Sequence, residues 1–560
     1  MPDTSFYDVI VVGSGISGGW AAKELTELGA NVLLLERGRD VQHIKDYPTA
    51  MLQPWQLRHR GLMSRQLLES HPVQRRAGPF TALNAHFWVN DLESPYTELQ
   101  PFSWFRGYQV GGRSLIWGRQ SYRFSPMDFE ANARDGVAVD WPIRYEDLAP
   151  WYDYVERFAG ISGSRDSLSQ LPDGEFLPPV PMNCVEERIA DRIRTRYGGQ
   201  RSMIPARTAN LTIAHNGRGK CQYRNQCSQG CPFGAYFSTQ SSTLPAALAT
   251  GRLTMRTHAI VTEVVYDRDT HRARGVRVLD ALDKTTREYR ARVVFLCAST
   301  LNSAWILMNS ATDILPDGLG SSSGELGHNI IDHHNRVGAS GLMPGFDDKY
   351  HSGRRPNAIY VPRFRNIGTD KREYLRGFGY QGGAGRAGWQ RNVAELGIGP
   401  ALKNALVEPG PWSIGLVGFG ETLPYHDNRV ILDKNRRDKW GLPVLAMDCR
   451  IRDNELKMRV DMQNDAAEML EGAGVTNLRS FDEFYAFGSG IHEMGAARMG
   501  RSAKTSVLNG FNQVWDAPNV FVTDGACMTS SACQNPSLTY MALTARAAHY
   551  AAEELRRGNL

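Results

Sequence analysis

The sequence has no uninterrupted apolar run of about 18 residues, the length that a membrane-spanning helix needs, so we expect no membrane span. Long runs of like charge are also missing, since the 64 Lys and Arg residues are scattered and the formal net charge is only +5. Nucleic-acid binding, which usually shows as a clustered basic surface, is therefore not expected. The N-terminus enters an apolar stretch almost at once, without a basic segment or a cleavage site, so we expect no signal peptide in this chain.

Cysteine is scarce as well, with 8 residues in 560. Five of them are widely scattered, which is not typical of a secreted disulfide framework. The other three, Cys221, Cys227 and Cys231, fall within the stretch CQYRNQCSQGC. Three is an odd number for disulfides and one short of the four ligands that zinc normally takes, with His215 as the only candidate for the fourth. Spacing alone leaves a zinc site, an iron–sulfur cluster, a disulfide with one free thiol and buried small side chains open.

The first forty residues predict a strand–helix–strand unit of an α/β protein. YDVIVVGSG and NVLLLERG are continuous apolar runs, as expected for strands buried on both faces of a parallel sheet. The segment between them has a helical apolar stripe from about Ile16 to Leu28, and Gly29 ends it. At 560 residues the chain is too long for one simple core, so two or more structural units are expected.

Later segments continue this pattern. Residues 40–105 are rich in Trp, Pro, His and Arg without a clean period, and we interpret them as an insertion over a site. Residues 252–298 predict short strands that end in another continuous apolar run, VVFLCAS. Residues 336–485 predict a second domain with strands such as WSIGLVGFG and NRVILD. NVFVTDGA predicts one more buried strand, followed by a helix from about Ser537.

A glycine motif predicts a dinucleotide site. Gly13, Gly15 and Gly18 form G-x-G-x-x-G directly between the first strand and the first helix. These glycines allow a tight turn and let the backbone approach a pyrophosphate at the helix N-terminus. Glu36 ends the second strand, where its carboxylate can accept hydrogen bonds from the ribose hydroxyls of an adenosine.

Two further features favour FAD over NAD. Asp524 ends the strand in FVTDGA just before a helix, where it is placed to hold the ribityl-phosphate arm of a flavin. VGGRSLIWG contains a second glycine turn, in which Gly111 and Gly112 let the backbone approach an isoalloxazine ring. Each feature is ambiguous alone, because two glycines also suit a simple hairpin. Together they fit a long flavin cofactor that crosses the sheet.

These motifs resemble those of the glucose-methanol-choline (GMC) oxidoreductases, and the resemblance runs from Tyr7 to the C-terminal helix. It is carried by the N-terminal fingerprint with Glu36 and by VGGRSLIWG, LGHNIIDHH, HEMGAARMG and NVFVTDGACMTSSACQNPSLTYMALTARAA. Within the family the chain is more similar to bacterial sugar dehydrogenases and glucoside 3-dehydrogenases than to choline oxidases. The resemblance implies an α/β fold, in which a Rossmann FAD-binding domain of the p-hydroxybenzoate hydroxylase type is interleaved with a substrate domain built on an antiparallel sheet with helices.

The resemblance also predicts how the chain is divided. The three-cysteine stretch is expected to form an insertion at about 219–236 in the FAD-binding domain. The FAD-binding domain is expected to combine residues 1–45, 106–130, 215–335 and 486–560. The substrate-binding domain and its lid segments are expected to combine residues 46–105, 131–214 and 336–485.

By the same resemblance, His492 is the base that takes the proton of the substrate hydroxyl, and Asn535 holds the substrate oxygen. Histidine suits this role because its pKa lies near working pH. Ile116 stands where pyranose oxidases carry a His linked to the flavin, so the FAD is expected to be non-covalent. The residues expected to bind FAD are Gly13, Gly15, Gly18, Glu36, Gly111, Gly112, Ser114, Trp117, Val261, Asp524 and Asn535.

Two further groups of residues have both a structural and a functional interpretation. The pair His333 and His334 follows an apolar turn, and we favour a structural role for it over a direct contact with the substrate. Candidates for stacking on a sugar ring are Trp88, Trp104 and Trp117, although tryptophan most often packs in cores.

The resemblance narrows the interpretation of the three cysteines. Some bacterial FAD-dependent glucose dehydrogenases carry a [3Fe-4S] cluster on a similar motif, which implies a cluster held here by Cys221, Cys227 and Cys231. Such a cluster would pass electrons from the flavin to an external acceptor. The relatives with a cluster often work with a small accessory subunit that carries the export signal, and with a cytochrome c-type acceptor. The chain is therefore expected in the periplasm by co-export with that partner, or in the cytoplasm.

We therefore predict an FAD-dependent dehydrogenase that oxidises a hydroxyl of a sugar or glycoside, C3 of glucosides included, to a ketone or lactone. The main alternative is an O₂-using carbohydrate or alcohol oxidase of the same family, in which the cysteines are structural. A lyase that keeps FAD as a scaffold and a non-catalytic binding subunit also remain open.

Overall fold

A computed structural model of the chain describes residues 6–349, 356–388, 398–407, 409–483 and 486–560. The strands are Phe6–Val12 (β1), Val32–Leu35 (β2), Thr97–Glu98 (β3), Ile204–Pro205 (β4), Leu253–Arg256 (β5), Ala259–Asp267 (β6), Arg272–Asp280 (β7), Thr286–Leu296 (β8), His333–Met343 (β9), Ile359–Val361 (β10), Phe378–Arg386 (β11), Trp412–Glu421 (β12), Arg429–Arg437 (β13), Pro443–Asp448 (β14), Thr476–Asp482 (β15), Gln513–Val514 (β16) and Ala517–Val522 (β17). The α-helices are Ile16–Glu27 (α1), Arg65–Ser70 (α2), Pro126–Phe129 (α3), Ala131–Asp135 (α4), Tyr145–Ala159 (α5), Cys184–Arg196 (α6), Thr243–Ala249 (α7), Thr300–Asn309 (α8), Gly399–Val407 (α9), Asp453–Gly472 (α10) and Ser537–Arg557 (α11). Among the described helices none is both long and apolar enough to cross a lipid bilayer.

The larger sheet has a parallel centre in the order β17–β8–β1–β2–β5. Its central strands are continuous apolar runs because both faces are covered; the side chains of Val9–Val12 and Val32–Leu35 are almost completely buried. α1, α7 and α11 pack on one face. The antiparallel strands β7 and β6 continue from β8, and β16 pairs with β17.

The second sheet is antiparallel, with six strands in the order β15–β9–β12–β11–β10–β4. α6 and α10 pack against it and supply a separate core that includes Met458, Met462 and Ala466. β13, β14 and β3 form a small third sheet. The predicted strands WSIGLVGFG and NRVILD are observed as β12 and β13, and the first predicted helix is observed as α1, one residue shorter at its end. The predicted division into two domains stays a prediction.

Candidate active site

A cavity of about 740 Å³ lies at the carboxyl ends of the parallel strands, between the two large sheets. The segments that follow β1, β8 and β17 line it on one side, and residues of β11 and β12 line it on the other. Its volume falls within the range of small-molecule sites, about 300–1,000 Å³. Ligands of α/β proteins bind at this edge of the sheet, because the loops there converge.

The first glycine turn brings α1 unusually close to β1. Gly13 has a φ of +94°, and a Cβ placed on it would lie 2.5 Å from the carbonyl oxygen of Cys297. A Cβ on Gly18, inside α1, would lie 1.8 Å from the carbonyl oxygen of Gly13. A Cβ on Gly15 would meet no atom within 4 Å, and Gly15 borders the cavity. Two of the three glycines therefore shape the turn, and the third faces the ligand space.

The second glycine turn is tied to the first through Ser14. The Ser14 hydroxyl donates to the Glu36 carboxylate at 2.5 Å, and the Gly111 N–H donates to the Ser14 hydroxyl at 2.9 Å. A Cβ on Gly112 would lie 3.5 Å from the Cα of Gly15, so the two turns face each other. Burial raises the pKa of Glu36, although hydrogen bonds from its neighbours oppose this shift.

Three helices begin at the cavity, because Ile16, Thr300 and Ser537 at the starts of α1, α8 and α11 all line it. The positive ends of helices favour phosphate groups. Asp524 also lines the cavity, accepts from the Ser303 hydroxyl at 2.5 Å, and has its pKa raised to about 6 by burial.

The cavity also holds unused hydrogen-bonding capacity. The buried hydroxyl of Tyr540 borders it and has no hydrogen-bond partner among the described residues. This hydroxyl, the glycine backbone and the two buried carboxylates suit the phosphates, ribose and polar ring edge of a dinucleotide. The residues of this cavity therefore fit FAD.

At the other end of the cavity, His492 and Asn535 lie side by side. The Nε2 of His492 is 3.1 Å from the Nδ2 of Asn535, and the Nδ1 of His492 is 2.8 Å from the Nδ1 of His333. The Nε2 of Gln381 donates to the Oδ1 of Asn535 at 2.6 Å. Burial lowers the pKa of His492 well below its usual value, and the neighbouring His333 and Arg113 lower it further. His492 is therefore a neutral ring at neutral pH, as a general base must be.

The loop that carries His492 is held by a buried carboxylate. Asp332 accepts from the backbone N–H groups of Gly490 and His492, each at 2.9 Å. Burial and the nearby charge of Glu493 raise the pKa of Asp332 to about 7. Glu493 itself forms an ion pair at 3.0 Å with Arg113, which lines the cavity.

The three-cysteine stretch forms part of the cavity wall. Cys221 and Cys227 line the cavity. Cys231 is partly buried like the other two, and burial raises the pKa of its thiol although backbone N–H groups of residues 233, 235 and 236 lower it. All eight cysteines are free, so the disulfide interpretation does not hold in this structure. Among the described residues no three His, Cys, Asp or Glu side chains are placed to hold a metal ion, and His215 points its Nε2 at the carbonyl oxygen of Arg157.

Most of the residues predicted to bind FAD border the cavity. Two lie behind its wall: Gly18 inside α1, and Gly111, where a Cβ would collide with Gln240. Trp104 does not line the cavity and packs on the guanidinium of Arg106. The predicted residues that line it are Gly13, Gly15, Glu36, Trp88, Gly112, Ser114, Trp117, Cys221, Cys227, Val261, His492, Asp524 and Asn535.

Sequence reasoning missed the neighbours that hold the predicted pair. Asp332 and His333 belong to the motif LGHNIIDHH. The motif marks this segment as one shared with the family, but it does not indicate that these two residues contact His492. Gln381 lies in a β-strand without any recognisable motif, so the sequence offers no signal for it.

Comparison with known proteins agrees with this geometry. Residues 7–335 and 424–544 match the N-terminal and C-terminal family profiles described as GMC oxidoreductase. The 2-methyl-1,2-propanediol dehydrogenase of Mycolicibacterium austroafricanum is 28% identical over 97% of this chain and 94% of its own length. Paromamine 6'-oxidase of Streptomyces fradiae is 27% identical over 99% of this chain and 92% of its own length. The fructose dehydrogenase large subunit of Gluconobacter japonicus is 24% identical over 99% of this chain and 99% of its own length.

Among solved structures, pyridoxine 4-oxidase from Mesorbium loti superimposes with a TM-score of 0.58. Its sequence is 16% identical, and the match covers 97% of this chain and 98% of that one. At this identity the likeness shows the fold alone, a Rossmann-type FAD domain joined to a substrate domain.

Proposed function

Because this chain belongs to the GMC oxidoreductase family, and is therefore an enzyme of a flavoprotein family that acts on CH–OH donors, we propose that its donor is a sugar or glycoside hydroxyl, C3 of glucosides included. The product is then a ketone or lactone, and the electrons leave to an acceptor other than O₂. The observation that carries the proposal is the pairing of His492 and Asn535 on the wall of a cavity that fits FAD.

Non-covalent FAD, when bound, supplies the acceptor for the hydride of the substrate. The two glycine turns would let their backbone approach its pyrophosphate and ring. Glu36 and Asp524 would accept hydrogen bonds from its hydroxyls, and Ser114, Trp117 and Val261 line the cavity that would hold it.

His492 and Asn535 handle the substrate hydroxyl. The neutral His492 accepts the hydroxyl proton at Nε2, and the Asn535 amide donates to the substrate oxygen. In the substrate-free molecule the Asn535 amide lies 3.1 Å from the same Nε2, so it keeps the site of proton transfer polar and oriented. Gln381 holds the amide in that orientation.

The remaining wall supports a polyhydroxylated substrate. It is rich in side-chain amides, each of which has both donors and acceptors and so matches a ring bearing several hydroxyls. These amides are Gln120, Asn225, Asn335, Asn357 and Gln381.

The three-cysteine stretch supports the proposed transfer of electrons to an external acceptor. Three thiols on one short stretch, with backbone N–H groups directed at Cys231, are the right donors for a [3Fe-4S] cluster, and two of them border the cavity. In this structure the three thiols do not converge on a common point, and the proposed reaction at His492 does not depend on the cluster. We propose a small accessory subunit and a cytochrome c-type acceptor as partners, exported together to the periplasm.

We expect anaerobic addition of a suitable sugar or glycoside to bleach the flavin of the purified protein. An artificial acceptor should then restore the oxidised spectrum at least ten times faster than air does, because the enzyme is proposed to use an acceptor other than O₂. Stoichiometric H₂O₂ in air would instead support the oxidase, and turnover of substrate without bleaching would support the lyase.

Iron and sulfide analysis with EPR tests the cluster directly. We expect about three irons per chain in anaerobically purified protein, lost in Cys227→Ser with FAD retained, since a thiolate ligand is removed. The matched control is Cys184→Ser, because Cys184 is a partly exposed free thiol at the start of α6, outside the stretch. Wild-type protein without iron would contradict the cluster.

A further inference from the structure

The ring of His492 is connected to a fixed hydrogen-bond acceptor through a second histidine, His333. We propose that His333 is a positioning residue that holds His492 in the tautomer with the proton on Nδ1 and the lone pair on Nε2. The inference rests on the proposed role of His492 as the base.

The backbone carbonyl oxygen of Ala532 fixes the protonation of His333. The Nε2 of His333 is within hydrogen-bond distance of the backbone carbonyl oxygen of Ala532, which can only accept. Nε2 of His333 therefore carries a proton. The His333 side chain is 2% exposed, and burial lowers its pKa to about 4, so the ring is neutral at neutral pH. Its Nδ1 consequently has a free lone pair.

The contact between His333 and His492 then fixes which nitrogen of His492 carries the proton. The two Nδ1 atoms are 2.8 Å apart, and a hydrogen bond between them needs one proton only. Since Nδ1 of His333 accepts, Nδ1 of His492 donates. A neutral imidazole with its proton on Nδ1 has its lone pair on Nε2, the atom that faces Asn535.

The contacts at the opposite edge of the His492 ring are consistent with this assignment. The Oδ1 of Asn535 accepts from Gln381 at 2.6 Å, so the Asn535 amide turns its Nδ2 toward His492. An N–H donor at 3.1 Å requires an unprotonated Nε2, the state that His333 imposes. The backbone of His492 is fixed as well, because Asp332, next to His333, accepts its N–H. Asp332, just before β9, and His333, the first residue of β9, thus hold the main chain and the ring of the base, respectively.

Without His333 the ring of His492 could rotate or place its proton on Nε2, the nitrogen that has to accept one. A matched pair of variants tests this: His333→Gln and His333→Met have nearly the same shape and flexibility. The Gln amide can donate to Ala532 and accept from His492, whereas Met can do neither. Met fits a buried apolar space at least as well, so a purely packing role would favour Met.

In anaerobic stopped-flow experiments on the FAD-loaded protein, we expect His333→Gln to keep the flavin-reduction rate within about 3-fold of wild type. His333→Met should lose about 10- to 100-fold in that rate, with little change in substrate affinity, because misplacing a catalytic group costs rate rather than binding. Equal rates in the two variants, at normal FAD content, would overturn the proposal.

A second measurement does not depend on turnover. In [¹⁵N]histidine spectra of the oxidised, FAD-loaded protein, with His492 identified by its absence in His492→Ala, we expect a protonated Nδ1 in wild type and His333→Gln. His333→Met should show a mixture of tautomers. A protonated Nε2 in wild type would refute the proposal outright. The expected tautomers in a protein that oxidises no sugar or glycoside would instead leave His333 as assigned and refute the proposed function.

Discussion

Replacing His492 with Ala is expected to slow the reduction of the flavin by substrate about 10²- to 10⁴-fold, while FAD remains bound. The loss corresponds to about 3–5 kcal/mol of transition-state stabilisation, the usual contribution of a general base. Among the described residues His492 is the only histidine that lines the cavity, and the neighbouring His333, whose Nε2 is bonded to Ala532, does not line it. Anaerobic stopped-flow bleaching of the flavin measures the effect.

The matched control is His328→Ala. His328 stacks on His426 at the surface and bonds to its carbonyl oxygen, and it does not line the cavity. The His328→Ala protein should keep the wild-type rate of flavin reduction. This result would exclude a general effect of removing a histidine from this region. A His492→Ala protein that bleaches within about 3-fold of wild type would rule out His492 as the base, whereas loss of FAD would show a role in binding.

The fold of this chain was readable because its central strands carry a strong pattern. The runs ending at Val12 and Leu296 are apolar throughout, and only a strand covered on both faces tolerates that. The G-x-G-x-x-G motif then places a helix start at the same edge of the sheet. Local patterns of this kind predict which elements exist, and the parallel order of the strands follows from their connections.

The site was readable only where a residue lies in a motif. His492, Asn535 and Glu36 were predicted, and the structure places all three on one cavity. The contact of His333 with His492 joins positions 159 apart, and that of Gln381 with Asn535 joins positions 154 apart. Such contacts depend on how the two large sheets approach each other, which no local periodicity encodes. The pair His333–His334 was interpreted as structural, yet it contains His333, which we propose positions the base His492.

The three cysteines show a different limit. Their spacing suggested thiolate ligands for a cluster, which stays a prediction, and in this structure none of them forms a disulfide. Among the described residues no three metal-ligating side chains converge, because the fold of this stretch does not require the three thiols to approach one another. A cluster would have to bring them together itself, so iron analysis is the direct test.

Replacing Gly18 with Ala is expected to abolish FAD binding and to destabilise the protein by about 4 kcal/mol or more, although Ala is the better helix former. The reason is steric: a Cβ on Gly18 would lie 1.8 Å from the carbonyl oxygen of Gly13, a backbone atom that cannot rotate away. α1 would have to move off the sheet, and the start of the helix would then no longer face the cavity. FAD content and the thermal unfolding midpoint measure both effects.

Gly15→Ala is the matched comparison within the same motif. A Cβ on Gly15 meets no atom within 4 Å, and its φ of −68° suits any residue, so the cost to folding should stay below about 1 kcal/mol. Because Gly15 borders the cavity, the added methyl group is expected to weaken FAD binding about 10-fold without unfolding the apoprotein. The two variants thus separate the glycine that lets the helix approach the strand from the glycine that lets the ligand approach the helix. If Gly18→Ala kept its FAD and its unfolding midpoint, the close packing of α1 on the first turn would not be what this motif requires.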